Sequence, residues 1–290
     1  MAHKTMITAA LTGVLATRKQ SPAIPYSAEE IAEEARRSVE AGASIVHIHA
    51  RQPDGSSAWD VESFRAIDRE VRRRCPEVVI NYSTGAVGLD RTERIHHITA
   101  LKPDLAALNM GSMNYAIYSP KNKTFYHDHI FANPFADIRF FLEAMNAAGT
   151  RPEMECFDSG HIHNTQPLID LGVLSPPYQF SLILGVLGGI PASVKNLVHQ
   201  VDQLPPGSHW QAIVIGARQW ELLATAVALD GGIRVGLEDN LYLEPGRLAP
   251  SNGALVAKAA ELVRLIGGEV ASIAETRGLL NLPGGQNARD

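Results

Sequence analysis

Three things are scarce in this chain, and each shortage excludes a class of protein. There are two cysteines, Cys75 and Cys156, in 290 residues. Two thiols cannot build a disulfide framework, so the fold must rest on a hydrophobic core. There is no basic excess: 26 Lys and Arg stand against 31 Asp and Glu, a net charge of −5. Nucleic-acid recognition needs a concentrated basic surface. The densest basic stretch, residues 69–74, carries Glu70 inside it and reads as a solvated helix face. There is also no long apolar run. The longest, residues 180–190, falls well short of the ~20 apolar residues that span a bilayer. Neither a nucleic-acid partner nor a membrane is expected.

Residues 6–16 are apolar and follow His3 and Lys4, which loosely imitates a secretory leader. They also read as the first strand of a repeating pattern, and removing them would leave seven strands. A cytoplasmic protein is therefore expected. No low-complexity linker divides the chain, so residues 1–290 are expected to form one domain with a C-terminal extension.

What the chain does have is a regular alternation of short β-rich runs and helical periods. Strands are expected at residues 5–12, 43–49, 78–83, 105–111, 153–157, 179–185, 211–216 and 232–238. Helices should begin near Ser27, Asp60, Arg91, Pro134, His161, Pro191, Arg218 and Ser251. Eight strand–helix pairs imply parallel strands with helical crossovers. Closing them gives an α/β fold, a (β/α)₈ TIM barrel; an open doubly wound sheet is the alternative. The longest irregular stretch, residues 112–133, reads as a functional loop or an oligomer contact.

In such a barrel, chemistry sits where the strands end. His47 and His49 lie two apart on the second strand and share one face, so they can chelate one divalent metal. A hydrogen-bonded histidine pair is the bland alternative. On the eighth strand, Arg234, Gly236 and Glu238 share a face. Glu238 can complete a two-His, one-carboxylate set for Zn²⁺. Asp239 follows at the turn. It can serve as a base if Arg234 holds it ionised, or the two can merely tie the barrel end. Ser83, Thr84 and Gly85 close the third strand in a form that suits close backbone approach to a ligand. Asn109 is inward on the fourth. Gly188 and Gly189, before a helix start, and Arg218 are candidates for an anion or for coenzyme A. The second His-x-His, His161 and His163, falls on a loop or helix start, where its rings diverge.

With these residues in place, the chain resembles the β-keto acid cleavage enzymes along essentially its whole length. The likeness runs through residues 7–10, 25–31, 41–49, 83–85, 155–158, 184–186 and 234–240. It implies a zinc barrel with His47, His49 and Glu238 as ligands, and an Arg234–Asp239 dyad that assists deprotonation. It implies acetyl-CoA as co-substrate, with acetoacetate and a new acyl-CoA as products, and a homotetramer. Ser83 matches a substrate-contacting serine. Leu15 stands where a family member acting on an aminated substrate has a glutamate, and Ala107 stands in place of a threonine. A neutral, aliphatic substrate tail is therefore expected. Two other readings use the same residues: a metal-dependent lyase, aldolase or hydrolase that does not use coenzyme A, and a binding protein that kept the barrel.

Overall fold

The eight β-rich runs are buried on both faces, as parallel barrel strands must be. In the computed structural model, described over residues 4–284, they close into a barrel. His3 and residues 285–290 lie outside the described residues. The strands are β1 (Ile7–Ala10), β2 (Ile45–Ile48), β3 (Val79–Tyr82), β4 (Leu105–Asn109), β5 (Arg151–Cys156), β6 (Tyr178–Leu184), β7 (Ser208–Val214) and β8 (Gly232–Val235). Each pairs in parallel with its neighbours in chain order, and β8 closes onto β1. The closed sheet rules out the open alternative.

The crossovers are α1 (Ala28–Ala41), α2 (Val61–Arg74), α3 (Arg91–Leu101), α4 (Phe135–Ala148), the short α5 (Ser159–His163) and α6 (Thr165–Asp170), α7 (Val194–Val201), α8 (Gln219–Ala228) and α9 (Asn252–Leu265). Their starts follow local chemistry. Ser27 caps α1 in a reciprocal box with Glu30, and Asp60 and Ser251 cap α2 and α9. Helix α7 begins later than expected: Ser193, not Pro191, supplies the capping oxygen. Among the described residues, no helix is long and apolar enough to cross a membrane.

The core lies between sheet and helices. Val46, Ile48, Ile80, Leu108 and Phe180 face outward into it. At the N-terminal end of the barrel, Met6, Ile45, Val79 and Leu105 point inward against Ala271 and Leu280. The C-terminal segment supplies that plug. Residues Glu269–Val270 pair with Lys4–Thr5, and α10 (Ile273–Leu279) brings Arg277 onto buried Asp104 at 3.1 Å. With one end plugged, substrate access is left to the C-terminal end.

Residues 112–133 are not irregular. They form an antiparallel hairpin, Met113–Ser119 with Thr124–Phe131. Met113, Ala116 and Phe131 are buried, whereas most other hairpin residues are exposed. That weak alternation is why the sequence pattern hides the strands.

Candidate active site

The site is built from strand ends. On β2, Val46 and Ile48 face the core, which turns His47 and His49 inward. After β8 the chain must bend to bring Glu238 back over the barrel. Gly236 makes the bend at φ 152°, with Ala10 O only 2.0 Å from where a Cβ would sit. The Glu238 N–H then donates to the same Ala10 carbonyl at 3.3 Å.

Three donors converge as a result. His47 Nε2 and His49 Nε2 lie 3.6 and 3.5 Å from Glu238 Oε1. Donors bound ~2.1 Å from one tetrahedral ion stand about 3.4 Å apart, so this set fits a zinc-sized ion. Among the described residues it is the one cluster of His, Cys, Asp and Glu with such spacing. Protonation agrees. Burial lowers the His47 pKa to about 3, with Arg234 and His49 adding to it against Glu238. The imidazole is therefore neutral, as a ligand must be. Burial opposes the charged form of Glu238, but Arg234 and the two histidines hold its carboxyl well below the ordinary range.

Arg234 organises the remaining carboxylates. It is buried and reaches Asp239 twice, at 2.9 and 2.7 Å, Glu238 at 2.8 Å and Glu155 at 3.6 Å. Burial raises the Asp239 pKa, and Arg234 works against the rise. Burial also pushes Glu155 up to about 8, again opposed by Arg234.

The other expected residues divide. Ser83 is buried, and its Oγ accepts from the Gly85 N–H at 3.1 Å. Gly85 lies beside both Ser83 Oγ and Asn109 Nδ2, and Asn109 Nδ2 is buried without a partner. These three line the mouth together. Thr84 does not: it is fully buried, and its hydroxyl donates to Ala107 O at 2.6 Å. Ala107 faces inward, fully buried, one layer below Asn109 and level with Glu153. Leu15 is 44% exposed, two residues beyond Gly13, whose Cα backs onto Glu238.

The anion candidates need correction. The N–H groups of Gly189 and Ile190 already donate within the protein, to Val186 O in the turn and to Phe157 O after β5. Gly188 lies against the Asn114 carbonyl of the hairpin. Arg218 is committed to Glu221 on its own helix and to Ala192 O. His161 and His163 part as expected: His161 is buried with Nδ1 on the Phe157 N–H, and His163 is exposed.

Several site residues escape the strand-end reading. Tyr115, on the hairpin, is half-buried. Its pKa is pushed up to about 12, by burial first and then by the charges of Glu238, Glu155 and Asp239. Beneath the histidines lies a polar layer. Glu153 accepts from Ser181, from Asn81 and from Gln211 Nε2 at 2.9 Å, and Thr8 donates to Gln211 Oε1 at 2.7 Å. Inward alternation of polar residues on β5 to β7 was the available signal. Arg51 donates to four backbone carbonyls, those of Gly13, Gly55, Thr12 and Ala16. It thereby clamps the loop that carries Gly13 and Leu15.

Residues 4–282 match the family described as beta-keto acid cleavage enzyme. The chain belongs to that family. It is 38% identical over 283 residues to a 3-keto-5-aminohexanoate cleavage enzyme of Fusobacterium nucleatum subsp. nucleatum, covering 97% of this chain and 99% of that one. It is 35% identical over 307 residues to the 3,5-dioxohexanoate:acetyl-CoA acetone transferase of Paraburkholderia graminis, covering 98% of each. The apo structure of ObcA superposes with a TM-score of 0.75 at 23% identity, over 90% of this chain and 66% of that one. That likeness supports the barrel fold alone. The family's barrel thus presents, in this member, a His–His–Glu triad beside an Arg–Asp pair.

Proposed function

We propose that this protein is a zinc-dependent β-keto acid:acetyl-CoA acyltransferase acting on a substrate with a neutral, aliphatic tail. The observation that carries the reading is the convergence of His47, His49 and Glu238 beside the Arg234–Asp239 pair. In the reaction, R–CO–CH₂–COO⁻ and acetyl-CoA become R–CO–S–CoA and acetoacetate. One acyl group moves to sulfur as the other is joined to the carboxymethyl carbon.

A bound zinc ion would act as a Lewis acid toward the keto and carboxylate oxygens of the substrate. The protein's own residues do the rest. Asp239 takes the proton from the carbon between the two carbonyls, and its burial-raised pKa suits that task better than an ordinary carboxylate would. Arg234 holds both Asp239 oxygens in place. Ser83 and Asn109 present polar groups to the substrate carboxylate. Ile183 and Ile213 continue the inward positions of Ser181 and Gln211 and cluster with Met113, Phe131 and Phe157. That apolar wall gives an aliphatic tail a dry place to lie and excludes water from the intermediate.

Two relatives named as acetyl-CoA transferases support the co-substrate: the acetone transferase and a 3-oxoadipate:acetyl-CoA acetyltransferase of Cupriavidus necator, 30% identical. We read residues 1–290 as one domain, assembled as a homotetramer. Both thiols are buried and free, which fits a reducing cytoplasm. The test is a panel of β-keto acids incubated with and without acetyl-CoA and followed for acetoacetate and acyl-CoA. Acetoacetate should form only with acetyl-CoA present and should fall in chelator-treated protein. Cleavage that ignores acetyl-CoA would favour an aldolase or hydrolase.

A further inference from the structure

One buried arrangement next to the site is not absorbed by the proposed reaction. His47 on β2 and Asn81 on β3 are register partners across the sheet, both inward and both fully or almost fully buried. The Asn81 side chain has two ends. Its NH₂ donates to Glu153 Oε2, while Glu153 Oε1 accepts from Ser181 and Gln211. This fixes which way the amide faces, and so the carbonyl oxygen Oδ1 must point away from Glu153. In the structure neither Oδ1 nor His47 Nδ1 has a hydrogen-bond partner. These are two buried, complementary polar atoms on adjacent strands. Leaving both unpaired would cost about 1–3 kcal/mol each.

We propose that Asn81 is a positioning residue for the metal site: its Oδ1 accepts the Nδ1–H of His47, fixing the tautomer that turns the Nε2 lone pair toward Glu238. Glu153 acts one step further out, by orienting the amide. The chain is thus carboxylate, amide, imidazole, with the amide inserted where many metal sites place a carboxylate directly on the histidine. Ser181 and Gln211 complete the shell of Glu153, and Thr8 fixes Gln211. The whole layer therefore serves one ring nitrogen. A direct carboxylate on His47 would pull the Nδ1 proton more strongly. The neutral amide holds the ring without adding a second negative charge below Glu238.

This inference rests on the proposed zinc site, and its test separates the two. Nitrogen-15 NMR of histidine-labelled protein reads the His47 tautomer directly. In both metal-free and zinc-loaded protein, Nδ1 should carry the proton. A proton on Nε2 in the metal-free protein, or metal on Nδ1, would overturn the assignment of Asn81 even if zinc binds tightly. Failure of the wild-type protein to bind zinc would instead overturn the metal reading and leave the tautomer result standing. Chelator competition gives the second readout. Asn81→Leu should weaken zinc binding about 10–100-fold. Asn81→Asp, which keeps an acceptor oxygen toward the ring, should stay within a few-fold of wild type. If Asn81→Leu does not fold, the Asn81→Asp affinity and the tautomer measurement still decide; if it folds and keeps wild-type affinity, Asn81 does not position the ligand.

Discussion

Arg234 grips both carboxylate oxygens of Asp239, at 2.9 and 2.7 Å, while the same Nη2 reaches Glu238 at 2.8 Å. One guanidinium therefore ties the proposed base to the proposed metal ligand. Its charge offsets the repulsion between Asp239 and Glu238 in so small a buried volume, because like charges this close cannot otherwise both ionise.

Asp239→Asn should separate base from scaffold. The amide keeps the volume and one acceptor for Arg234, and Glu238 still partners the guanidinium. Zinc content, measured by atomic emission, should stay near wild type. Turnover should fall about 10²–10⁴-fold, the usual contribution of a positioned base. Near-normal turnover would transfer the role to Glu155, the other carboxyl on Arg234.

The barrel and the triad were legible because each rests on a strong periodic signal. His47 and His49 share a face by alternation alone, and Glu238 is three residues past β8 in a chain that must turn at Gly236. Arg51 was not legible, because its partners are backbone carbonyls, which no residue type announces. Gly188 and Gly189 misled for a related reason. A glycine-rich turn looks the same whether its N–H groups face a ligand or, as here, carbonyl oxygens of the protein itself.

Gly13→Ala should damage the metal site from behind. Gly13 has φ 56°, and an added Cβ would lie 2.7 Å from Glu238 Cγ. Either the loop or Glu238 must move. Arg51 resists loop movement through its bonds to Gly13 O, Thr12 O and Ala16 O, so Glu238 yields. Zinc affinity should drop at least tenfold, with urea stability lowered by about 1–3 kcal/mol for the strained backbone. Adding Arg51→Ala should restore part of the affinity by freeing the loop. Unchanged zinc affinity in Gly13→Ala would show that Glu238 is not buttressed there.

His97 gives the fold an acid-side liability. Its ring stacks on Phe64 at 4.0 Å between centroids, and Nε2 meets Ser83 O at 2.9 Å. Burial lowers its pKa from 6.5 to about 4. Below pH 6.5 the unfolded chain takes up a proton here that the folded chain refuses until about pH 4. Stability therefore falls as pH drops through that window, at up to about 1.4 kcal/mol per pH unit from this one group. His97→Gln keeps a donor for Ser83 O and removes the titration. Urea unfolding of metal-free protein between pH 6.5 and 4 should show a shallower slope in the variant; equal slopes would mean that His97 is protonated in the fold.

The hairpin should mediate assembly. Tyr118, Phe125, Tyr126 and Ile130 are exposed by 41, 55, 59 and 69%, a concentration of apolar surface suited to an interface. Light scattering at micromolar concentration should give a tetramer. Phe125→Asp with Ile130→Asp should give a smaller species that keeps its circular dichroism spectrum. A monomeric wild type would refute the assembly.

Substrate choice should follow the charge of the tail. Leu15 lies on the loop that Arg51 clamps, two residues from the Gly13 that backs Glu238. A leucine offers dispersion and apolar burial, about 0.8 kcal/mol per buried CH₂, and offers a cation nothing. The nearby carboxyl groups do not substitute for it. Glu238 and Asp239 are hydrogen-bonded to Arg234, and Glu155, with its pKa near 8, is largely protonated at neutral pH. An ammonium tail would lose its hydration without gaining a counter-charge, which costs several kcal/mol. A tail lying against Ile183 and Ile213 loses nothing. For a matched trio of cationic, neutral and anionic β-keto acids, kcat/KM should be highest for the neutral member, by at least tenfold over the cationic one. Leu15→Glu should narrow or invert that ratio while leaving zinc affinity unchanged. A cationic substrate preferred by the wild-type protein would show that another group sets the specificity.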